Sequence, residues 1–130
     1  MNRTWWIAAW AAWLLAVLTA THWPNPGALN TPLPEADKLV HTALYGVMGM
    51  LSIPAWASKG TARPRLLVIA IALVCLAGLD ESTQAFVPGR NACLPDFFAN
   101  ILGLALGLAA VLLPGRRQAH TPPHPAATGD

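Results

Sequence analysis

Three short clusters hold nearly all the reactive side chains that sit beside this chain's apolar runs. Asp37, His41 and Tyr45 recur at every fourth position. On a helix that spacing puts a carboxylate, an imidazole and a phenol in one stripe. Asp80, Glu81 and Gln84 form the second cluster, and Asp96 and Asn100, again four apart, the third. Lys38 adjoins Asp37, and Arg90 lies between the second and third clusters. These types allow acid–base chemistry. A histidine beside a carboxylate can serve as an oriented general base, and a desolvated carboxyl as an acid. His41 and Glu81 are therefore the candidate catalytic groups. Asp37, Lys38, Tyr45, Asp80, Gln84, Arg90, Asp96 and Asn100 are the candidate ligand contacts. No metal-ligand spacing motif is present, so no metal site is expected. Nucleotide motifs, phosphate-binding glycine loops and serine-triad signatures are also absent, and neither a cofactor nor a nucleic-acid partner is expected.

Each cluster also has a plainer reading. Asp37 can simply favour a helix N-terminus. His41 and Tyr45 can stitch helices together, and Asn100 with Gly103 and Gly107 reads as a close-packing face. Asp80, Glu81 and Arg90 can form a structural ion-pair network. Cys75, in an apolar run, reads as a small inert thiol.

The elements that must position these groups are set by composition. The chain has 130 residues, 55% hydrophobic and 11% charged. Soluble domains carry about 25% charge, so the solvent for most of this chain is lipid. Four apolar runs predict an all-α bundle of four transmembrane helices at about 5–21, 38–57, 65–87 and 96–113. Pro24 and Pro26 stop the first, Pro54 kinks the end of the second and Pro114 ends the fourth. The apolar part of the third, residues 66–79, spans only ~21 Å as a helix, short of the ~30 Å hydrocarbon core. It is therefore expected to continue to about Val87, which carries Asp80, Glu81 and Gln84 into the membrane's outer third. Tryptophans crowd the first helix and suit a lipid–water interface. Residues 1–114 form one domain, and the Pro-rich tail 115–130 is expected to be disordered. The first run follows Arg3 as a secretory signal would, but Leu18 stands where a cleavage site wants a small residue, so an uncleaved helix is expected.

Charge sets the orientation. Arg3, Lys59, Arg63, Arg65, Arg116 and Arg117 fall on one side, six of the eight basic residues. Lys38 and Arg90 share the other with Glu35, Asp37, Asp80, Glu81 and Asp96. Cytoplasmic loops are rich in Lys and Arg, so both termini are expected in the cytoplasm and the polar clusters at the outer face.

Three ordered blocks carry a resemblance. Asp37-Lys38-x-x-His41-x-x-x-Tyr45 comes first, then Asp80-Glu81-x-x-Gln84-x-Phe86-x-Pro88-Gly89-Arg90, then Asp96-x-x-x-Asn100-x-x-Gly103. Over about residues 37–107 the chain resembles the VanZ-like family, named for a protein of a glycopeptide-resistance cluster associated with teicoplanin. The resemblance implies a multi-pass protein of the bacterial cytoplasmic membrane and a link to the cell envelope. It supplies no reaction.

Three functions follow from the residues. The first is binding, in an outward-facing cleft, of a lipid headgroup, a lipid-linked cell-envelope intermediate or a lipoglycopeptide. Four carboxylates against Lys38 and Arg90 leave the cluster net negative. That suits hydroxyl-rich or amine-bearing groups better than a bare phosphate. The second is an enzyme acting on such a lipid by acid–base catalysis, with His41 and Glu81 at its centre. The third is a proton- or cation-coupled carrier, which four helices would form only as an oligomer.

Overall fold

The computed structural model describes residues 2–24, 36–57, 61–90 and 92–113. The expected tail 115–130, and with it Arg116 and Arg117, lies outside the described residues, as do Glu35 and Lys59. Four helices run in chain order, and no strand occurs among the described residues. They are α1 (Arg3–Thr21), α2 (Ala36–Trp56), α3 (Arg63–Gln84) and α4 (Leu94–Leu112). Each is long and apolar enough to cross a bilayer. Large side chains such as Leu67, Val68, Ile71, Phe98, Leu102 and Leu106 face outward, where water would penalise them and lipid does not. The chain is a multi-pass membrane protein.

The ends follow local chemistry. Asn2 caps α1, its side chain accepting from the Trp5 N–H at 3.1 Å. Pro64 and Pro95 stand in the first turns of α3 and α4, where their missing N–H groups cost nothing. α2 continues past Pro54 to Trp56. α3 stops at Gln84, short of the expected Val87. Pro88 has no N–H to give to the Gln84 carbonyl and disfavours helical backbone at Val87. The Val87 N–H bonds Gln84 O at 2.9 Å instead, and Gly89, at φ 82°, turns the chain toward α4.

α2 packs most extensively on α4, and α1 then leans on α2. The α2–α4 seam is built on glycine from both sides. A β-carbon at Gly107 would strike the Gly46 carbonyl, and one at Gly103 the Thr42 carbonyl. At Gly49 it would stand 2.8 Å from the Leu104 carbonyl oxygen. Two tryptophans of α1 do more than line an interface. The Trp10 indole N–H donates to Ser52 Oγ at 2.9 Å and that of Trp13 to the Leu44 carbonyl at 2.9 Å, so both sew α1 to α2. The apolar core joins Val17, Tyr45, Met48, Leu73, Ala77 and Leu104, one or two from each helix. Above that core, at the ends bearing the acidic residues, lies the polar cluster.

Candidate functional site

Asp80 is the knot of three helices. One carboxylate oxygen accepts from Tyr45 OH at 2.8 Å, the other from Thr21 Oγ1 at 2.8 Å. The His22 ring lies 3.5 Å away and reaches Thr83 Oγ1 at 2.9 Å with its other nitrogen. α1, α2 and α3 thus meet on one buried carboxylate. Neither Thr21 nor His22 was singled out in the sequence. The available signal was a polar pair closing an otherwise apolar run, and it is common at helix ends.

A second strand of bonds links α3 to α4. Glu81 accepts from the Cys93 backbone N–H at 2.7 Å and from Gln84 Nε2 at 3.4 Å. The Cys93 thiol donates to Asp96 at 2.9 Å. That bond, then burial, pushes the thiol above its ordinary pKa, because both favour the neutral form. Cys93 therefore bridges two buried acids, a role its place in a polar turn did not signal.

A third contact crosses the glycine seam. His41 Nδ1 lies 2.9 Å from Asn100 Oδ1, and both residues are buried. A carbonyl oxygen only accepts, so Nδ1 is the donor in this contact, and in the neutral ring the lone pair is then on Nε2. Asn100 is fully buried, yet its Nδ2 has no partner. Asp37 lies at the exposed rim of the same stripe. Its carboxylate pairs with Arg90 at 3.7 Å. The guanidinium also donates to the Ala20 carbonyl at 3.3 Å, which caps the end of α1, and its buried Nε has no partner.

The expected residues thus gather at one end of the bundle but divide by role. The stripe Asp37, His41, Tyr45 does turn inward. Its members engage different partners, however, and Asn100 rather than Asp37 orients the imidazole. Arg90, read in the sequence as an ion-pair partner of Asp80 and Glu81, pairs with Asp37 because the turn at Gly89 delivers it beside α1 and α2. Tyr45 and Asp80 are occupied with each other, and Gln84 is spent on Glu81. Lys38 lies with Leu39, Thr42, Pro95, Phe98 and Leu102 along a groove of about 380 Å³ between α2 and α4. Two sets of possible metal ligands converge, Asp37 with His41 and Asp96, and Glu81 with Cys93 and Asp96. Within each set the ligand atoms lie within 4.8 Å of one another.

Charge is the unusual feature. The buried carboxylates of Glu81 and Asp96 are held by neutral donors, an amide, a backbone N–H and a thiol, while the nearby guanidinium is drawn to Asp37. Ionised groups at this depth are costly without a counter-charge or water.

A family model described as VanZ/LLP1 matches residues 3–114. Among curated proteins and among solved structures, no significant match is found.

Proposed function

This chain belongs to the VanZ/LLP1 family, and from that premise we propose that its polar end is an outward-facing cleft for the headgroup of an amphiphile. The ligand is a lipid headgroup, a lipid-linked cell-envelope intermediate or a lipoglycopeptide. One observation carries this reading. Among the described residues two buried donors, Asn100 Nδ2 and Arg90 Nε, lack acceptors, while the carboxylates of Glu81 and Asp96 accept from an amide, a backbone N–H and a thiol. A buried donor left unmet costs ~1–3 kcal/mol, so it persists where a ligand supplies the acceptor. A headgroup carrying hydroxyls or amines offers acceptors to the first set and donors to the second. Asp37, His41, Glu81, Arg90, Asp96 and Asn100 make the contact, and Tyr45, Asp80 and Gln84 brace it. The apolar groove beside Lys38 takes the attached chain, with the ammonium at its rim. The family's tie to glycopeptide resistance, teicoplanin in particular, makes lipoglycopeptides and their cell-wall targets the first ligands to try.

The test is native mass spectrometry of the full chain released directly from membranes. A stoichiometric adduct is expected from wild type and is absent from Asn100→Leu. Adducts that are equal in both, and drawn at random from bulk phospholipid, would refute the cleft. An enzymatic reading of the same residues is separated by one result, conversion of the bound amphiphile on incubation.

The cleft faces outward only if both termini are in the cytoplasm of a bacterial inner membrane. Support comes from Arg3, Arg63 and Arg65 at the opposite end from Asp37, Asp80, Glu81 and Asp96. Cys93 reports the orientation. In a Cys75→Ser background, a membrane-impermeant maleimide is expected to label Cys93 in intact spheroplasts. Labelling only after lysis overturns the orientation. The reagent attacks thiolate, so a raised thiol pKa makes labelling slow at neutral pH and faster as the pH rises.

A further inference from the structure

We propose that Asp37, His41 and Asp96 form a binding site for a divalent transition-metal ion, zinc by preference, at the outer end of the α2–α4 seam. The proposal concerns the same cleft but not the identity of its amphiphile. Geometry, the histidine and charge each favour an ion there.

The first is geometry. One nitrogen and two carboxylate oxygens, drawn from two helices, lie within 4.8 Å of one another. Zinc holds such atoms at ~2.0–2.2 Å in a tetrahedron, so neighbouring ligand atoms sit about 3.4 Å apart. Binding draws the three side chains together, and Asp37, at the exposed rim, has the most room to turn. No spacing motif revealed the set because its members come from different elements, Asp37 and His41 from α2 and Asp96 from α4.

The second is the histidine. A metal-binding imidazole characteristically donates its other ring N–H to an oxygen, which fixes the ring and its tautomer. His41 does this here, with Nδ1 on Asn100 Oδ1 at 2.9 Å. In the neutral ring this leaves the lone pair on Nε2 for the ion. Asn100 lies one turn below Asp96 on the same face of α4, wholly buried, and its Nδ2 is without a partner. The amide needs an acceptor oxygen, and a water or headgroup oxygen in the ion's open fourth position provides one.

The third is charge. Asp96 is buried, its carboxylate accepting from the neutral Cys93 thiol, and a dication adds counter-charge beside it. The alternative set, Glu81, Cys93 and Asp96, shares Asp96, so the two cannot be filled independently. Glu81 has both oxygens engaged already, by Cys93 N and Gln84 Nε2. An imidazole ligand favours zinc over magnesium or calcium.

The full chain in detergent, stripped with EDTA, is titrated with Co²⁺ alone as a visible probe and then with Zn²⁺. Wild type is expected to bind one Co²⁺, to lack a sulfur-to-cobalt charge-transfer band and to release the ion to Zn²⁺ but not to Mg²⁺. His41→Gln should weaken Co²⁺ binding more than tenfold, and Asn100→Leu by ~10–100-fold through loss of the ring's support. Cys93→Ala, which removes only the thiol's bond to Asp96, should weaken it less than His41→Gln does. Thermal melting without metal checks that each variant is folded. The proposal fails if wild type binds no Co²⁺. It also fails if a sulfur band appears, or if Cys93→Ala abolishes binding while His41→Gln preserves it. An amphiphile retained by stripped chain that binds no Co²⁺ defeats this site and leaves the headgroup cleft standing. Co²⁺ binding without any amphiphile does the reverse.

Discussion

Gly107→Ala is expected to destabilise the bundle by ~3 kcal/mol, and Gly107→Leu to prevent accumulation in the membrane. A β-carbon at residue 107 would occupy the Gly46 carbonyl oxygen and press on the Met50 N–H. Both obstacles are backbone, so no side-chain rotation relieves them and α2 and α4 must separate. Overpacking of this kind costs about 1–3 kcal/mol and occasionally more. Gly103→Ala meets the Thr42 carbonyl and should cost about as much by the same principle. Gly46→Ala is the control on the facing helix, since its nearest contact would be an ordinary 3.6 Å from Gly103 O. It should lie within ~1 kcal/mol of wild type, because alanine also suits a helix better than glycine. The double variant Gly103→Ala/Gly107→Ala should cost less than the two singles together. Once α2 has moved off for one methyl group, the second finds room, and neighbouring sites are not additive. Reversible melting of detergent-solubilised protein decides the matter. Equal melting of Gly107→Ala and Gly46→Ala would mean that the seam is not packed as described.

That seam also shows how far the sequence could be read. Gly103 and Gly107, four apart below Asn100, marked a close-packing face on α4. Gly46 and Gly49 on α2 are three apart and sit among Met and Leu, so their half of the contact gave no comparable pattern. The four helices were legible because apolar runs free of charge have few other uses. The end of α3 was placed three residues late. Bilayer thickness alone favours an end near Val87, but the backbone donor missing at Pro88 stops the helix at Gln84. The polar stripe on α2 was legible as a stripe, since four-residue spacing fixes a face. Spacing within one helix says nothing about which partner each residue meets. It therefore did not separate Tyr45, bound to Asp80, from His41, bound to Asn100. Thr21, His22 and Cys93 escaped because each completes a network whose other members lie on distant parts of the chain.

The division between Tyr45 and His41 yields the second large effect, in which stability and binding part in opposite directions. Tyr45→Phe removes one of the two hydroxyl donors on the buried Asp80 carboxylate. Hydrogen bonds to charged groups are worth ~1.5–3 kcal/mol, and the loss falls on an oxygen of a buried carboxylate. Tyr45→Phe should therefore melt earlier yet, where still folded, retain its amphiphile, because the headgroup contacts lie elsewhere. His41→Gln is the reverse. The glutamine amide can still donate to Asn100 Oδ1, so the seam keeps its bond and the cost stays at ~1 kcal/mol or less. What disappears is the basic Nε2 lone pair that can take a proton or bind a metal; the glutamine Oε1 is a differently placed acceptor and no base. Normal membrane levels and melting are expected, with at least a tenfold loss of amphiphile adduct in native mass spectrometry and of any glycopeptide-dependent phenotype. A folded His41→Gln protein with full adduct and phenotype would reduce His41 to an interhelical bond. If it instead retained the adduct and lost only the phenotype, His41 would act after binding, and the enzymatic reading would displace the binding one.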